Sequence, residues 1–240
     1  MSLILHTSCD SKAEIFETIQ GEGMDMGVPA FFIRLQGCSV HCFFCDEKET
    51  WVKRDNNSIE VEPEEILEEL ENINPLLKRA VITGGEPTEQ NLEPLITLLV
   101  KNNFRVSVET AATGQYLGDL FKNYSKTQND SDNFTSYLQN SLNITFSPKE
   151  VYSKSSSIQD EKIWANCDEL KFVIASEEAV EYLINRIVPN LQKHHNQCPI
   201  FLVPDWFNFE INKKIVIELL RQYPNRFRLG TQMHKIVDMP

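Results

Sequence analysis

The sequence predicts an α/β fold in which a mainly parallel sheet curls into a partial, incomplete barrel. Three observations predict it. Short apolar runs rich in β-formers alternate with helical stretches, the pattern of repeated βα units. The chain has 240 residues, fewer than the about 250 of a complete eight-unit barrel. The residues suited to chemistry follow predicted strand ends, where parallel α/β folds gather their sites. One TIM-like domain over 1–240 with about six to seven strands accommodates all three.

The elements follow in order. Residues 14–23 (EIFETIQGEG) close on Gly-Glu-Gly, a turn signal. Residues 30–36 (AFFIRLQ) are a buried strand, and a cysteine-rich loop follows at once. Residues 61–73 carry Glu-rich helical periodicity with Pro63 near the start, where first-turn prolines are favoured. Residues 80–83 are a strand running into Gly84-Gly85-Glu86-Pro87, and 92–102 are a helix. Residues 104–110 (FRVSVET) are a strand and 115–122 a short helix. The stretch 123–141 is polar and reads as a loop. Residues 142–146 are a strand ending in Ser147-Pro148-Lys149, and 153–160 a second polar loop. Strands at 169–174, 200–203 and 226–232, with helices at 177–192 and 211–222, complete the pattern before a short tail to Pro240.

Composition narrows the function classes. Hydrophobic residues make up 41%, enough for a substantial core. No run of about 18 apolar residues predicts a membrane span. The start, MSLILHTSCDSK, lacks the basic and long apolar regions of a signal peptide, so a cytoplasmic protein is expected. The net charge of −12 argues against nucleic acid as a partner, because phosphate backbones are held by cations. One placed Arg still suffices for a small anion.

Of the cysteines, Cys38, Cys42 and Cys45 fall within eight residues, whereas Cys9, Cys167 and Cys198 are scattered. The scattered three read as small core hydrophobes. The cluster, Cys-x₃-Cys-x₂-Cys, offers three thiolates from one loop. Iron–sulfur clusters are normally held by four cysteines, so three ligands leave one iron of a [4Fe–4S] cube open. An open iron can take the amino and carboxylate groups of S-adenosylmethionine (SAM). A zinc site is the alternative, but zinc favours paired CxxC ligands and no second CxxC exists, while His41 inside the loop would strain it. Three structural cysteines suit a polar loop led by Gly37 poorly.

Other residues carry two readings each. Gly84-Gly85-Glu86-Pro87 alone is a plain turn; beside the cysteines its glycines allow close backbone approach to a ligand, and Glu86 adds an acceptor. Arg34, in an alternating strand beside the cysteine loop, reads as an anion-binding residue or a surface ion pair. Gln20-Gly21-Glu22-Gly23 is a turn or a ligand segment. Ser147-Pro148-Lys149 is a strand stop or a ligand loop, and His234 a packed histidine or a pocket residue. Glu109 ends an apolar strand, and a buried carboxylate needs a partner.

The cysteine spacing resembles that of the radical SAM superfamily. More narrowly, FETIQGEGMDMGVPAFFIRLQGCSVHCFFCD, ITGGEP, VET, SPK, DELKFVI and the terminal QMHK are similar to the 7-carboxy-7-deazaguanine synthases, from residue 14 to the C-terminus. The resemblance implies a radical SAM type of partial barrel, usually homodimeric, with Mg²⁺ as helper ion and an electron donor such as flavodoxin. It implies conversion of 6-carboxy-5,6,7,8-tetrahydropterin to 7-carboxy-7-deazaguanine with loss of ammonia, as in queuosine biosynthesis. SAM would be cleaved to a radical that takes a hydrogen from C6 of the pterin and later returns it.

By matching position, Cys38, Cys42 and Cys45 would bind the cluster. Phe44, Cys45, Asp46, Gly84, Gly85, Glu86, Glu109, Ser147, Pro148 and Lys149 would border SAM. Ile19, Gln20, Gly21, Arg34, Thr83, His234 and Pro240 would meet the pterin, Arg34 through its carboxylate. Three positions depart from the family. Glu47 stands where a Mg²⁺-binding Thr is usual, Ala112 where a Gly is usual, and Val203 where Gln is common. They leave open a diverged radical SAM enzyme with another substrate, a glycyl-radical activating enzyme, or a non-catalytic iron–sulfur or zinc protein.

Overall fold

The computed structural model describes residues 1–7, 11–124, 140–153 and 157–240. Cys9, residues 125–139 and residues 154–156 lie outside the described residues, and with them much of the two polar stretches expected to be loops.

Seven strands run parallel in one continuous sheet: β3 (Pro29–Leu35), β5 (Arg79–Gly84), β6 (Arg105–Thr110), β7 (Leu142–Phe146), β8 (Glu169–Ile174), β9 (Ile200–Pro204) and β10 (Phe227–Leu229). They are the seven expected. The sheet order is β10-β9-β8-β7-β6-β5-β3-β1-β4, so β10 ends the path without closing onto β3. That open edge makes the barrel incomplete.

The expected total of six to seven strands is too low. Three more, β1 (Leu3–His6), β2 (Ile15–Ile19) and β4 (Ser58–Val61), extend the β3 side antiparallel. Val61 therefore ends a strand; the helix α1 begins at Pro63 and runs to Ile73. Glu62 N–H donates to Glu65 Oε2 at 2.9 Å, a capping-box contact, and proline at the first turn lacks only an N–H that would have no partner. The last strand is also shorter than expected: after Leu229 the chain turns into a one-turn helix.

The other helices are α2 (Glu93–Lys101), α3 (Leu117–Tyr124), α4 (Ile163–Asn166), α5 (Glu177–Tyr182), α6 (Val188–Lys193), α7 (Phe209–Gln222) and α8 (Met233–Ile236). The span read as one helix over 177–192 is broken by a π turn, Leu183–Ile187. Pro189 follows that turn and lacks the N–H that an unbroken helix would direct back to residue 185, which suits a local widening. Among the described residues no helix is long and apolar enough to cross a membrane.

Strand alternation separates core from site. On β3, Phe31, Ile33 and Leu35 are fully buried and pack with Ile66, Leu70, Leu95, Ile96 and Leu99 of the helices. Phe32 and Arg34 point to the other face, inside the barrel. Cys167 and Cys198 are buried with sulfurs 3.8 Å apart, ahead of β8 and β9 and among the core residues, as expected of small hydrophobes.

Candidate active site at the strand ends

The cysteine loop leaves β3 and is fixed at its base by backbone contacts. Gly37 N–H donates to Thr50 O (2.7 Å) and Cys38 N–H to Trp51 O (3.1 Å). The buried Gln36 amide donates to Glu49 O and Val52 O and meets His6 Nδ1 at 2.8 Å. The loop after β5 then packs on it: Gly85 N–H reaches Leu35 O and Glu86 N–H reaches Gly37 O, both at 2.8 Å. A Cβ on Gly85 would lie 2.0 Å from Gly37 O. Its bareness thus serves contact with the cysteine loop, a reason that the expectation of close ligand approach missed.

Within the loop, His41 takes a left-handed backbone (φ 52°) and stacks, exposed, on Trp51 at 4.5 Å. The ring is thus engaged by the Trp51 indole. Burial pushes the Cys38 thiol up to about 12. Burial also raises Cys42, while the nearby Lys149 ammonium pulls it the other way. Lys149 itself is depressed by burial; its Nζ donates to Ser147 Oγ at 2.5 Å and lies 5.8 Å over the Phe44 ring. Phe44 packs edge-on against Tyr152 at 4.6 Å.

Glu86 is buried, and four donors converge on its carboxylate: Thr88 N–H (3.1 Å), Ala111 N–H (2.8 Å) and the hydroxyls of Thr88 and Thr110. Burial raises its pKa against these hydrogen bonds. Glu86 ties the loop after β5 to the end of β6. Next to it, Ala112 holds φ 61°, with its N–H on Thr110 Oγ1 at 2.8 Å. The loop therefore keeps a left-handed turn without a glycine, at a cost of about 1–2 kcal/mol. Part of that cost is offset because alanine loses less freedom on folding. Ala112→Gly is expected to raise stability by about 0.5–1 kcal/mol, read as a rise of a few degrees in the thermal midpoint.

A polar ring joins three strand ends to the Gln20–Gly23 turn. Glu109 accepts from Gln20 Nε2 and from Lys171 Nζ, each at 2.9 Å. Lys171 also pairs with Glu22, whose N–H donates to Gln20 Oε1 at 3.1 Å. Burial pushes Glu109 up, but Lys171 more than offsets it and the net shift is down; Lys171 is raised by both carboxylates against its own burial. Gly23 has φ 71°, and a Cβ there would meet the Glu169 carboxylate at 2.5 Å. Glu169 in turn accepts from Thr145 Oγ1 and Met24 N–H, both at 2.7 Å. Glu22 is named from sequence only as part of its turn, and Glu169 and Lys171 are not singled out there. Charged side chains alternating inside the strand ELKFVI are the signal that could have found the latter two.

Arg34 lies between two carboxylates. Its Nε is 3.0 Å from Glu14 Oε1 and its Nη1 3.1 Å from Glu47 Oε1, with the guanidinium 5.6 Å over Phe16. The Nε approach is out of line, and that buried N–H makes no hydrogen bond. Burial raises Glu47, as do Asp46 and Glu14, while Arg34 lowers it.

The C-terminal segment closes over this face. Met233 N–H donates to Gly21 O (2.9 Å), Lys235 Nζ to Asp46 Oδ2 (2.6 Å) and Thr18 Oγ1 to Pro240 O (2.9 Å). Burial resists the charge on Asp46, yet Lys235 holds its carboxyl below the usual range. His234 lies on Gly21 so closely that a Cβ would meet Nδ1 at 1.9 Å; burial depresses its pKa.

These elements enclose a cavity of about 530 Å³ at the C-terminal strand ends. Cys38, Cys42, Cys45, Asp46, Glu47, Ile19, Gln20, Arg34, Thr83, Gly84, Gly85, Glu86, Glu109, Ser147, Lys149, His234 and Pro240 all line it. Phe44 and Val203 line an adjoining pocket instead. Gly21 lies under His234, and neither it nor Pro148 lines the cavity. Among the described residues no three His, Cys, Asp or Glu side chains converge to hold a single ion.

Comparison with known proteins agrees with this architecture. Residues 32–125 match the model of the Radical SAM superfamily. The 7-carboxy-7-deazaguanine synthase of Synechocystis sp. is 31% identical over 226 residues, covering 93% of this chain and 90% of that one. The chain belongs to the 7-carboxy-7-deazaguanine synthase family. The Buchnera aphidicola member is 31% identical over 245 residues, covering 92% and 95% of the two chains. The Escherichia coli K12 member is 40% identical over a shorter stretch of 116 residues. The crystal structure of QueE from Escherichia coli superposes with a TM-score of 0.73 at 25% identity over 98% of this chain.

Membership of this radical SAM family implies a [4Fe–4S] cluster, SAM, a small-molecule substrate and a reductant. The residues present fit the cluster. Three thiols from one short loop line one cavity, and burial makes the Cys38 and Cys42 thiolates costly until cations offset the charge, with Lys149 already beside Cys42.

Proposed function

We infer that this chain is a lyase that converts 6-carboxy-5,6,7,8-tetrahydropterin to 7-carboxy-7-deazaguanine with loss of ammonia, in 7-deazapurine biosynthesis of the queuosine type. The observation that carries the site assignment is the single cavity that holds the three cysteines, the Gln20–Glu109 pair and Arg34 together.

Cys38, Cys42 and Cys45 hold the cluster. When bound, the cluster and SAM supply one-electron hydrogen abstraction. Gly84, Gly85, Ser147 and Lys149 line the SAM side, with Phe44 and Asp46 flanking the last cysteine and Glu109 held ready for the ribose. Pro148 fixes the turn that presents Ser147 and Lys149. Ile19, Gln20, Thr83 and His234 line the pterin side, over Gly21, and Pro240 closes it. Arg34, which lines the cavity, supplies the guanidinium for the 6-carboxylate. The C-terminal segment excludes water through its hold on Asp46, Gly21 and Thr18.

The same reading takes 1–240 as one domain, working in the cytoplasm as a homodimer, with a flavodoxin-type donor and neither nucleic acid nor membrane as partner. Mg²⁺ does not fit the side chains as they stand. Glu47 is paired with Arg34 and Asp46 with Lys235, so each nearby carboxylate already has a cation.

The test is an anaerobic assay of cluster-reconstituted protein with SAM, dithionite and the carboxypterin, followed by mass spectrometry. Many turnovers of 7-carboxy-7-deazaguanine per SAM consumed are expected. SAM cleavage without that product would replace the substrate with another and favour a diverged radical SAM enzyme.

A further inference from the structure

The Arg34 surroundings pose a problem that the reading above does not solve. A substrate carboxylate must approach a guanidinium that already has two carboxylates within 3.1 Å, Glu14 and Glu47. The two differ in how they are held. Glu14 is the less exposed, on the strand side, and Arg34 N–H also donates to its carbonyl at 3.1 Å. Glu47 comes from the cysteine loop with its side chain 39% exposed. Its backbone carbonyl is fixed by Thr50 N–H (3.1 Å) and Thr50 Oγ1 (2.7 Å), which leaves the flexible side chain as the part free to move. Arg34 is anchored between Glu14 and Phe16, so the mobile partner of the pair is Glu47.

Resting on the substrate reading above, we propose that Glu47 is an internal competitor for Arg34: it occupies the guanidinium in the substrate-free protein, and the 6-carboxylate of the pterin displaces it. Glu47 is then a specificity-determining residue. It keeps Arg34 neutralised against stray anions and lets in only a ligand whose other contacts outweigh the exchanged ion pair. A neutral or shorter side chain at this position would leave Arg34 open from that side.

The test is anaerobic binding of 6-carboxy-5,6,7,8-tetrahydropterin to cluster-reconstituted protein with SAM and chelator but no reductant, so that no turnover occurs. Glu47→Gln and Glu47→Thr are expected to tighten Kd roughly twofold to fivefold, the span a partly exposed ion pair allows. Tetrahydropterin without the carboxylate is the control, and its affinity should not change. In an Arg34→Gln background the Glu47 substitution should have no effect on either ligand. Unchanged or weaker binding of the carboxypterin by both Glu47 variants would overturn the proposal, and weakening restored by Mg²⁺ would make Glu47 a cation ligand instead. Failure of wild type and variants alike to bind either pterin would remove the substrate reading, and the competitor role with it.

Discussion

Cys38→Ala, Cys42→Ala and Cys45→Ala are each expected to abolish product formation while the chain still folds. Each thiol lines the cavity wall, and none is part of the main core, which is built from the sheet and its helices. The loop's shape does not rest on the sulfurs. It rests on the Gln36 amide, on Gly37 and Cys38 against Thr50 and Trp51, and on Gly85 and Glu86 packed over Leu35 and Gly37. Far-ultraviolet circular dichroism and the thermal midpoint of the cluster-free protein should therefore stay close to wild type. Iron bound after anaerobic reconstitution, the cluster's visible absorption and SAM cleavage should all fall together, because two ligands cannot hold a cube that already leaves one iron open. Cys167→Ala is the contrast: it removes a buried sulfur remote from the cavity, so it should cost stability and leave the cluster intact. A variant at Cys38, Cys42 or Cys45 that keeps a full cluster and turns over substrate would remove that residue from the ligand set.

How much of this was readable beforehand depends on the kind of contact. Most of the parallel strands announce themselves because one face packs on the helices and the other faces the barrel interior, which gives largely apolar runs such as AFFI and AVI. The three antiparallel strands are less legible. The β4 segment SIEV is largely exposed, and β2 mixes Glu and Thr into a short run, so neither carries a strong pattern. The π turn before Pro189 is likewise a local widening inside an otherwise regular helical period. The chemistry-bearing residues were legible as motifs, because three cysteines in one loop and a Gly-Gly-Glu-Pro turn have few other uses together. Their partners were not. That Gly85 faces Gly37, that Glu86 binds Thr110 and Ala111, and that Glu47 reaches Arg34 depend on which loops the sheet brings side by side. Sequence order separates those residues by as many as 48 positions, and no local propensity encodes the pairing.

Lys171→Met is expected to be the most destabilising single change in the cavity. Lys171 is the shared cation of Glu22 and Glu109, and all three side chains are largely buried. Removing one partner from such a group leaves uncompensated charge, at a cost of about 3–5 kcal/mol. For a chain of this size that lowers the thermal midpoint by roughly 10 °C. The function should suffer beyond the loss of stability, because the ammonium ties Glu22 of the substrate-side turn to β8 and fixes the Glu109 carboxylate on which Gln20 of that turn rests. The pH dependence has a definite sign. Glu109 is lowered in the folded state, so its contribution is complete above the ordinary carboxylate range and is lost as pH falls through the folded value. Lys171 is raised, so its share is complete below the ordinary lysine value and is lost only as strong alkali passes the folded one. The gap between wild type and Lys171→Met should therefore be flat through neutral pH and narrow in acid, as protonation relieves the abandoned Glu109 carboxylate of the variant. Adding Glu22→Gln and Glu109→Gln to Lys171→Met removes the stranded charges and should recover most of the lost midpoint, without restoring substrate binding. Melting curves across pH decide it: a Lys171→Met protein within 2 °C of wild type at neutral pH would mean that water, not Lys171, compensates these carboxylates.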